Sequence, residues 1–287
     1  MQTLAPSFSR LAAAALALAL LLLLDLALAP PRPPPAAYPP HRVRGAGRAA
    51  PSPPPAGVLR VALLGDSITL GKKCYAGSYG DRLIPALGAR HYALRVFADD
   101  GKTATRLDPA TGKPIRFGPV VMPFTDTPLW ADARAYDAEV YVCMLGTNDA
   151  STWWREEAYV ADYAALVGAL QGQPAAPVVF LAVPPPAFGA GEGSMPLNFS
   201  VINSVLPARA VAAVAAAAGG APVVVDVFSA LGGAAMDGGG LFCDGLHPRS
   251  PGTDRIAAAV YRALWAELVV RRGWPPFEGG EGFFDAL

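Results

Sequence analysis

Five short apolar runs punctuate the chain from Val58 onward: VLRVALLG (58–65), YALRVFA (92–98), AEVYVCMLG (138–146), PVVFLAV (177–183) and APVVVDV (221–227). They are rich in β-branched residues and mostly continuous rather than alternating with polar ones, the pattern of strands buried on both faces. Helical segments are predicted between and after them, near 78–88, 126–136, 155–171, 199–219 and 253–272. Strand–helix alternation over this length implies a parallel sheet wrapped by helices on both sides. In such folds function gathers in the loops that follow the carboxyl ends of the strands.

Upstream the pattern is different. A short polar start ending at Arg10 leads into LAAAALALALLLLLDLALA, a basic flank and an apolar run that read as a secretory signal peptide or a signal-anchor over residues 1–29. Asp25 breaks the run after Leu24, and the uncharged part is shorter than the ~20 residues a comfortable membrane span needs. Ala27-Leu28-Ala29 has the small-x-small form of a cleavage site, but Pro30 follows it directly. Residues 30–56 contain 11 prolines, four arginines and no acid, which describes a semi-extended, disordered linker without a core of its own. Residues 57–287 are long enough to bury one core and fit one domain.

Composition narrows the function. Lys plus Arg equal Asp plus Glu at 23 each, and that balance argues against a nucleic-acid partner. The 30 glycines and 30 prolines exclude a helical bundle but suit a loop-rich α/β enzyme. Three cysteines are too few for a disulfide-built scaffold. The three histidines, His41, His91 and His247, offer no metal-ligand cluster. Gly65 to Lys72 misses the spacing of a phosphate-binding loop, and Thr69 stands where the nucleophile elbow of α/β-hydrolases has a glycine.

Four segments carry candidate chemistry. Gly65-Asp66-Ser67-Ile68-Thr69 follows the first strand, Asp99-Asp100-Gly101 the second and Gly146-Thr147-Asn148-Asp149 the third; Asp244-Gly245-Leu246-His247-Pro248 precedes the last helix. Taken singly, Ser67 reads as a helix cap, Asn148 and Asp149 as turn formers, Gly101 as a positive-φ residue and His247 as a capping or core histidine. Taken together they supply what acyl transfer requires. Ser67 is the hydroxyl nucleophile, His247 the base that removes its proton, and Asp244 the carboxylate that fixes the imidazole tautomer. The Ser67 and Gly101 backbone N–H groups and the Asn148 amide are the candidate oxyanion donors.

In this order the segments resemble the SGNH hydrolases, or GDSL esterases: GDSIT as the serine block, Gly101 as the glycine block, GTND as the asparagine block and DGLHP as the aspartate–histidine block, over roughly residues 58–270. The resemblance implies a flavodoxin-like three-layer α/β/α fold with a five-stranded parallel sheet, and a serine hydrolase that needs no cofactor or metal. The same residues carry over: Ser67, Asp244 and His247 as the triad, with Gly101 and Asn148 in the oxyanion hole. The Asp99-Asp100 pair departs from the family, whose members often have uncharged residues there. Within the family YGDRLIPALG, GKTAT, VYVCMLGTND, LAVPPPAF and the Asn203–Pro207 stretch look closest to carbohydrate O-acetyl esterases of the sialate-esterase-like branch. Trp153 and Trp154 fit a sugar-stacking role or a helix start packed on the sheet edge.

The expected substrate is therefore a small ester or acetylated glycan, turned over by a monomer in the secretory pathway, secreted or held by its N-terminal segment. A lysophospholipase or thioesterase of the same family, and a non-catalytic glycan-binding protein on the same fold, remain open as alternatives. Cys143 reads as a buried strand residue. Cys74 follows the serine block and Cys243 precedes Asp244, so an assembled triad brings them to one rim, where a disulfide can pin the histidine loop to the serine loop. Asn198-Phe199-Ser200 is an N-glycosylation sequon.

Overall fold

A computed structural model describes residues 57–71, 73–108, 111–116, 120–151, 155–189, 196–235 and 240–284. The N-terminal apolar run, the proline-rich stretch and the Trp153–Trp154 pair lie outside the described residues.

The apolar runs form five parallel strands: β1 (Leu59–Gly65), β2 (Tyr92–Ala98), β5 (Val140–Met144), β6 (Val178–Ala182) and β7 (Val223–Val225). Their order is β2-β1-β5-β6-β7. The chain thus builds outward from β1 in one direction to β2 and in the other to β5, β6 and β7. That is the doubly wound, flavodoxin-like arrangement, whose binding crevice opens where the winding reverses, at the carboxyl ends of β1 and β5. A two-residue parallel ladder, β3 (Lys102–Thr103) with β4 (Met122–Pro123), was not foreseen from the sequence, because β3 carries no apolar run and the run that holds β4, PVVMPF, contains two prolines, which argue against a strand.

Side chains alternate across the sheet, so the inner strands β1, β5 and β6 each feed two cores. Ala62 and Leu64 of β1, Tyr141 and Cys143 of β5, and Val179 and Leu181 of β6 face α3 (Pro128–Tyr136), α4 (Glu156–Gln171) and α5 (Val201–Ala218). Val61, Leu63, Val140, Val142 and Phe180 face the other way, onto α2 (Tyr79–Leu87), α6 (Val227–Ala230) and α7 (Ser250–Leu264). Burial on both faces holds fully for β5 and β6; the edge strands β2 and β7 are partly exposed, and Val224 lies at the surface. Cys143 is buried inside β5, and burial pushes its thiol well above the ordinary range, so it behaves as a small apolar residue.

Local chemistry sets the helix ends. The Ser78 hydroxyl accepts from Gly80 N–H at 3.0 Å while the Asp81 carboxylate accepts from Ser78 N–H at 2.9 Å, a reciprocal cap for α2. Pro207 sits inside α5, where it removes one ladder donor, and Val201–Ala210 winds with wider, π-type turns. Leu181→Ala, which empties a fully buried position in β6, is expected to cost about 2–5 kcal/mol of unfolding free energy in urea titrations.

Candidate active site

Gly65 ends β1 at a point where a Cβ would lie 2.1 Å from the Thr69 hydroxyl and 2.9 Å from the Met144 carbonyl. Only a glycine allows the chain to turn there so close to β5. Asp66 then caps the short helix α1 (Ser67–Leu70) by accepting from Ile68 N–H at 2.9 Å. The capping role open to Ser67 in the sequence therefore belongs to its neighbour, which leaves the serine hydroxyl for other work.

That hydroxyl meets His247: Ser67 Oγ and His247 Nε2 are 3.0 Å apart, both residues buried. The other ring nitrogen, Nδ1, lies 2.6 Å from Asp244 Oδ2. Asp244 Oδ1 accepts from His247 N–H at 2.7 Å and from Leu246 N–H at 3.0 Å, so the carboxylate holds both the ring and its own loop. Burial pushes the Asp244 carboxyl upward, but the bonds from the His247 backbone and ring and from Leu246 outweigh it and hold the group down to about 2. Asp244 is thus a charged acceptor at every working pH, and the imidazole is fixed with its Nε2 toward the serine.

The loop that presents His247 is held from three sides. Phe242 bridges to Pro248, and Cys243 N–H donates to the His247 carbonyl at 3.0 Å. Phe188 and Gly189, after β6, donate to the Gly245 carbonyl at 2.7 and 3.2 Å. Cys74 and Cys243 are joined in a disulfide with Cα atoms 5.9 Å apart, the bridge expected between the serine and histidine loops. Among the described residues the nearest thing to a metal-ligand group is Cys74, Cys243 and Asp244, and both of its sulfurs are in that bridge.

The two candidates for the oxyanion hole other than Ser67, Asn148 and Gly101, lie at the same crevice. Asn148 Nδ2 donates to Asp66 Oδ2 and to the Lys102 carbonyl, each at 3.1 Å, so the amide lies between the serine block and the glycine block. Gly101 has φ +73°, and a Cβ there would lie 2.8 Å from Val120 Cγ1 and 3.0 Å from the Val120 carbonyl. The glycine is required by the backbone and by Val120, before any substrate is considered.

Three buried residues with roles in this architecture were missed. Asp149 accepts from Ala104 N–H (3.0 Å), Thr105 N–H (2.8 Å) and the Thr105 hydroxyl (2.7 Å), anchoring the strand that leaves Gly101. Asp66 acts on Asn148 as well as capping α1. Lys102 is buried beside Gly101. The signal for the last was present in the sequence, a lysine close behind the anomalous acidic pair.

A parallel α/β protein with a hydroxyl, an imidazole and a carboxylate in series at its switch point is built as a serine hydrolase is built. Residues 63–255 match the GDSL-like lipase/acylhydrolase family, and the chain belongs to that family. No curated protein matches the chain. Solved structures share the fold. A protein described as an SGNH hydrolase from Slackia heliotrinireducens is 20% identical, with a TM-score of 0.52 over 72% of this chain and 99% of that one. A lipase/acylhydrolase from Enterococcus faecalis is 20% identical, with a TM-score of 0.52 over 73% and 97%. An active-site mutant of a family two carbohydrate esterase from Clostridium thermocellum is 19% identical, with a TM-score of 0.51 over 79% and 67%.

Two measurements probe these contacts. Removing the bridge with Cys74→Ser and Cys243→Ser together is expected to lower unfolding free energy by about 2–4 kcal/mol, since it frees a loop closed across 169 residues. The Asp66 carboxyl is raised to about 7, chiefly by burial and further by the nearby Asp149 and Asp100 charges, with the Ile68 bond pulling partly back. The native state therefore binds more protons than the unfolded chain between about pH 4 and 7, and stability falls as pH rises through that window. Asp66→Asn is expected to remove a slope approaching about 1.4 kcal/mol per pH unit from urea titrations across it.

Proposed function

We propose that this protein is a serine esterase that removes short acyl groups, acetyl foremost, from the hydroxyls of a carbohydrate. The observation that carries the catalytic part is the 3.0 Å contact between Ser67 Oγ and His247 Nε2, backed by the 2.6 Å contact from His247 Nδ1 to Asp244. Ser67 Oγ attacks the ester carbonyl carbon as its proton passes to His247 Nε2. Asp244 stabilises the imidazolium without taking the proton itself. The carbonyl oxygen, now anionic, sits against the Ser67 and Gly101 backbone N–H groups and the Asn148 amide.

Each such donor contributes about 2.7–4 kcal/mol of transition-state stabilisation. Asn148 gives the oxyanion a share of bonds already directed at Asp66 and the Lys102 carbonyl, so it is oriented before substrate arrives. Collapse of the intermediate expels the alcohol, which takes the proton from His247. Water then gives a proton to His247 and attacks the acyl-serine, and a second collapse releases the acid and restores the Ser67 hydroxyl.

Support for a carbohydrate ester comes from the resemblance to the sialate-esterase-like branch in LAVPPPAF and the Asn203–Pro207 stretch. These two segments are joined: Asn203 accepts from Ala187 N–H at 2.9 Å and donates to the Ala187 carbonyl at 2.7 Å. A carbohydrate esterase also stands among the proteins of the same fold. The disulfide supports an oxidising, secretory location, in keeping with the signal-like N-terminus.

The test compares acetyl with long-chain p-nitrophenyl esters, and then acetylated sugars. The wild type is expected to prefer acetyl, and Ser67→Ala to lose at least about 10³-fold in kcat while keeping its thermal midpoint. Undiminished turnover by Ser67→Ala would defeat the assignment. Preference for long chains would make the protein a lysophospholipase or thioesterase. A wild type that neither hydrolyses esters nor reacts with a fluorophosphonate would be a non-catalytic binder.

A further inference from the structure

Lysine is almost never fully buried unless its ammonium is paired. Lys102 is only 3% exposed, and its ammonium has a full set of three acceptors: the Asp100 carbonyl at 2.8 Å, the Val120 carbonyl at 3.0 Å and Asp99 Oδ2 at 3.1 Å. Asp99 and Asp100 precede Gly101 and Lys102 follows it, so the side chain folds back across the glycine turn and closes it on itself. The bond to the Val120 carbonyl fastens that turn to Val120, whose side chain and carbonyl fill the space a Cβ at position 101 would need. The Lys102 carbonyl in turn accepts from Asn148 Nδ2 at 3.1 Å. A single residue thereby touches the supports of two groups assigned to the oxyanion pocket.

We propose that Lys102 is a positioning residue for ester hydrolysis, its ammonium setting the Gly101 N–H and its carbonyl the Asn148 amide, with Asp99 as its counter-ion. This rests on the esterase reading above. It also accounts for Asp99 in the departure from the family: a buried ammonium needs a counter-charge, which the Asp99 carboxylate supplies, while position 100 contributes its backbone carbonyl. Asp99 is half-exposed, so the carboxylate serves the clamp from the surface while the ammonium is kept from water.

The role predicts a loss in kcat without a matching change in KM, because the oxyanion exists only after attack. Lys102→Met keeps the length of the side chain and removes the charge. A displacement of the donors by a fraction of an ångström is expected to lower kcat for p-nitrophenyl acetate about 10–100-fold, with KM within about twofold. Asp99→Asn alters a surface position and is expected to lower kcat about two- to fivefold at an unchanged thermal midpoint.

Rates are taken per active site, counted by fluorophosphonate labelling, so that a merely structural role, which reduces the number of folded molecules, leaves the figure unmoved. Wild-type kcat per labelled site in both variants, with Ser67→Ala inactive, overturns the positioning role and leaves the esterase reading intact. If Lys102→Met does not fold, Asp99→Asn decides alone, and wild-type kcat there overturns the proposal. A wild type inert to ester and fluorophosphonate alike overturns both.

Discussion

A hydrogen bond between side chains 180 positions apart, Ser67 Oγ to His247 Nε2, sets the demands that the surrounding loops have to meet. Such a contact tolerates only a few tenths of an ångström, yet one partner sits at the start of a short helix and the other in a loop before α7. The parallel sheet supplies the first part of the solution. Its winding reverses at β1, which leaves the carboxyl ends of β1 and β5 side by side, and the serine and asparagine blocks emerge there next to each other. The histidine loop comes from the far end of the sequence and has no strand to place it.

Two independent ties do that placing. On one side the disulfide links Cys243, next to Asp244, to Cys74, seven residues beyond the serine. On the other, Asn203 in α5 holds the Ala187 backbone at both its N–H and its carbonyl, and the adjoining Phe188 and Gly189 donate to Gly245. The loop is thus pinned between a covalent bridge from α1's side and a hydrogen-bond relay from α5's side. Within it, Asp244 spends one oxygen on the backbone and the other on the imidazole.

Three aspartates around the crevice, two of them buried, show how environment divides one chemical group among different tasks. Asp244, surrounded by donors from its own loop, is held as an anion down to about 2. Asp66, with one backbone donor and two acidic neighbours, is raised to about 7 and joins the cap of α1 to the Asn148 amide. Asp149 is also raised by burial, against the pull of the three donors of Ala104 and Thr105, and it acts as a fastener for the segment beyond Gly101. Such partitioning follows from burial weighed against donors: Asp149 has as many donors as Asp244 but lies deeper, so its carboxyl is raised where that of Asp244 is lowered.

The strand and helix runs were legible because apolar continuity and helical spacing are local properties, and each of the five strands falls within its apolar run. The chemical blocks were legible because their residue types and order are themselves sequence features; their meeting in one crevice follows from strand order. What could not be read is what depends on distant partners. The β3–β4 ladder pairs a polar β3 with a proline-interrupted run at β4. Asp66 capping in place of Ser67, Lys102 buried on Asp99 and two carbonyls, and Gly101 packed against Val120 are all decided by neighbours that spacing does not reveal. The sequence by itself determined the fold class and singled out the candidate reacting groups, since both follow from patterns of a few adjacent residues. Only the tertiary structure decided which polar groups hold those residues in register, because a buried hydrogen bond is satisfied by whatever the fold brings within 3 Å, at any separation along the chain.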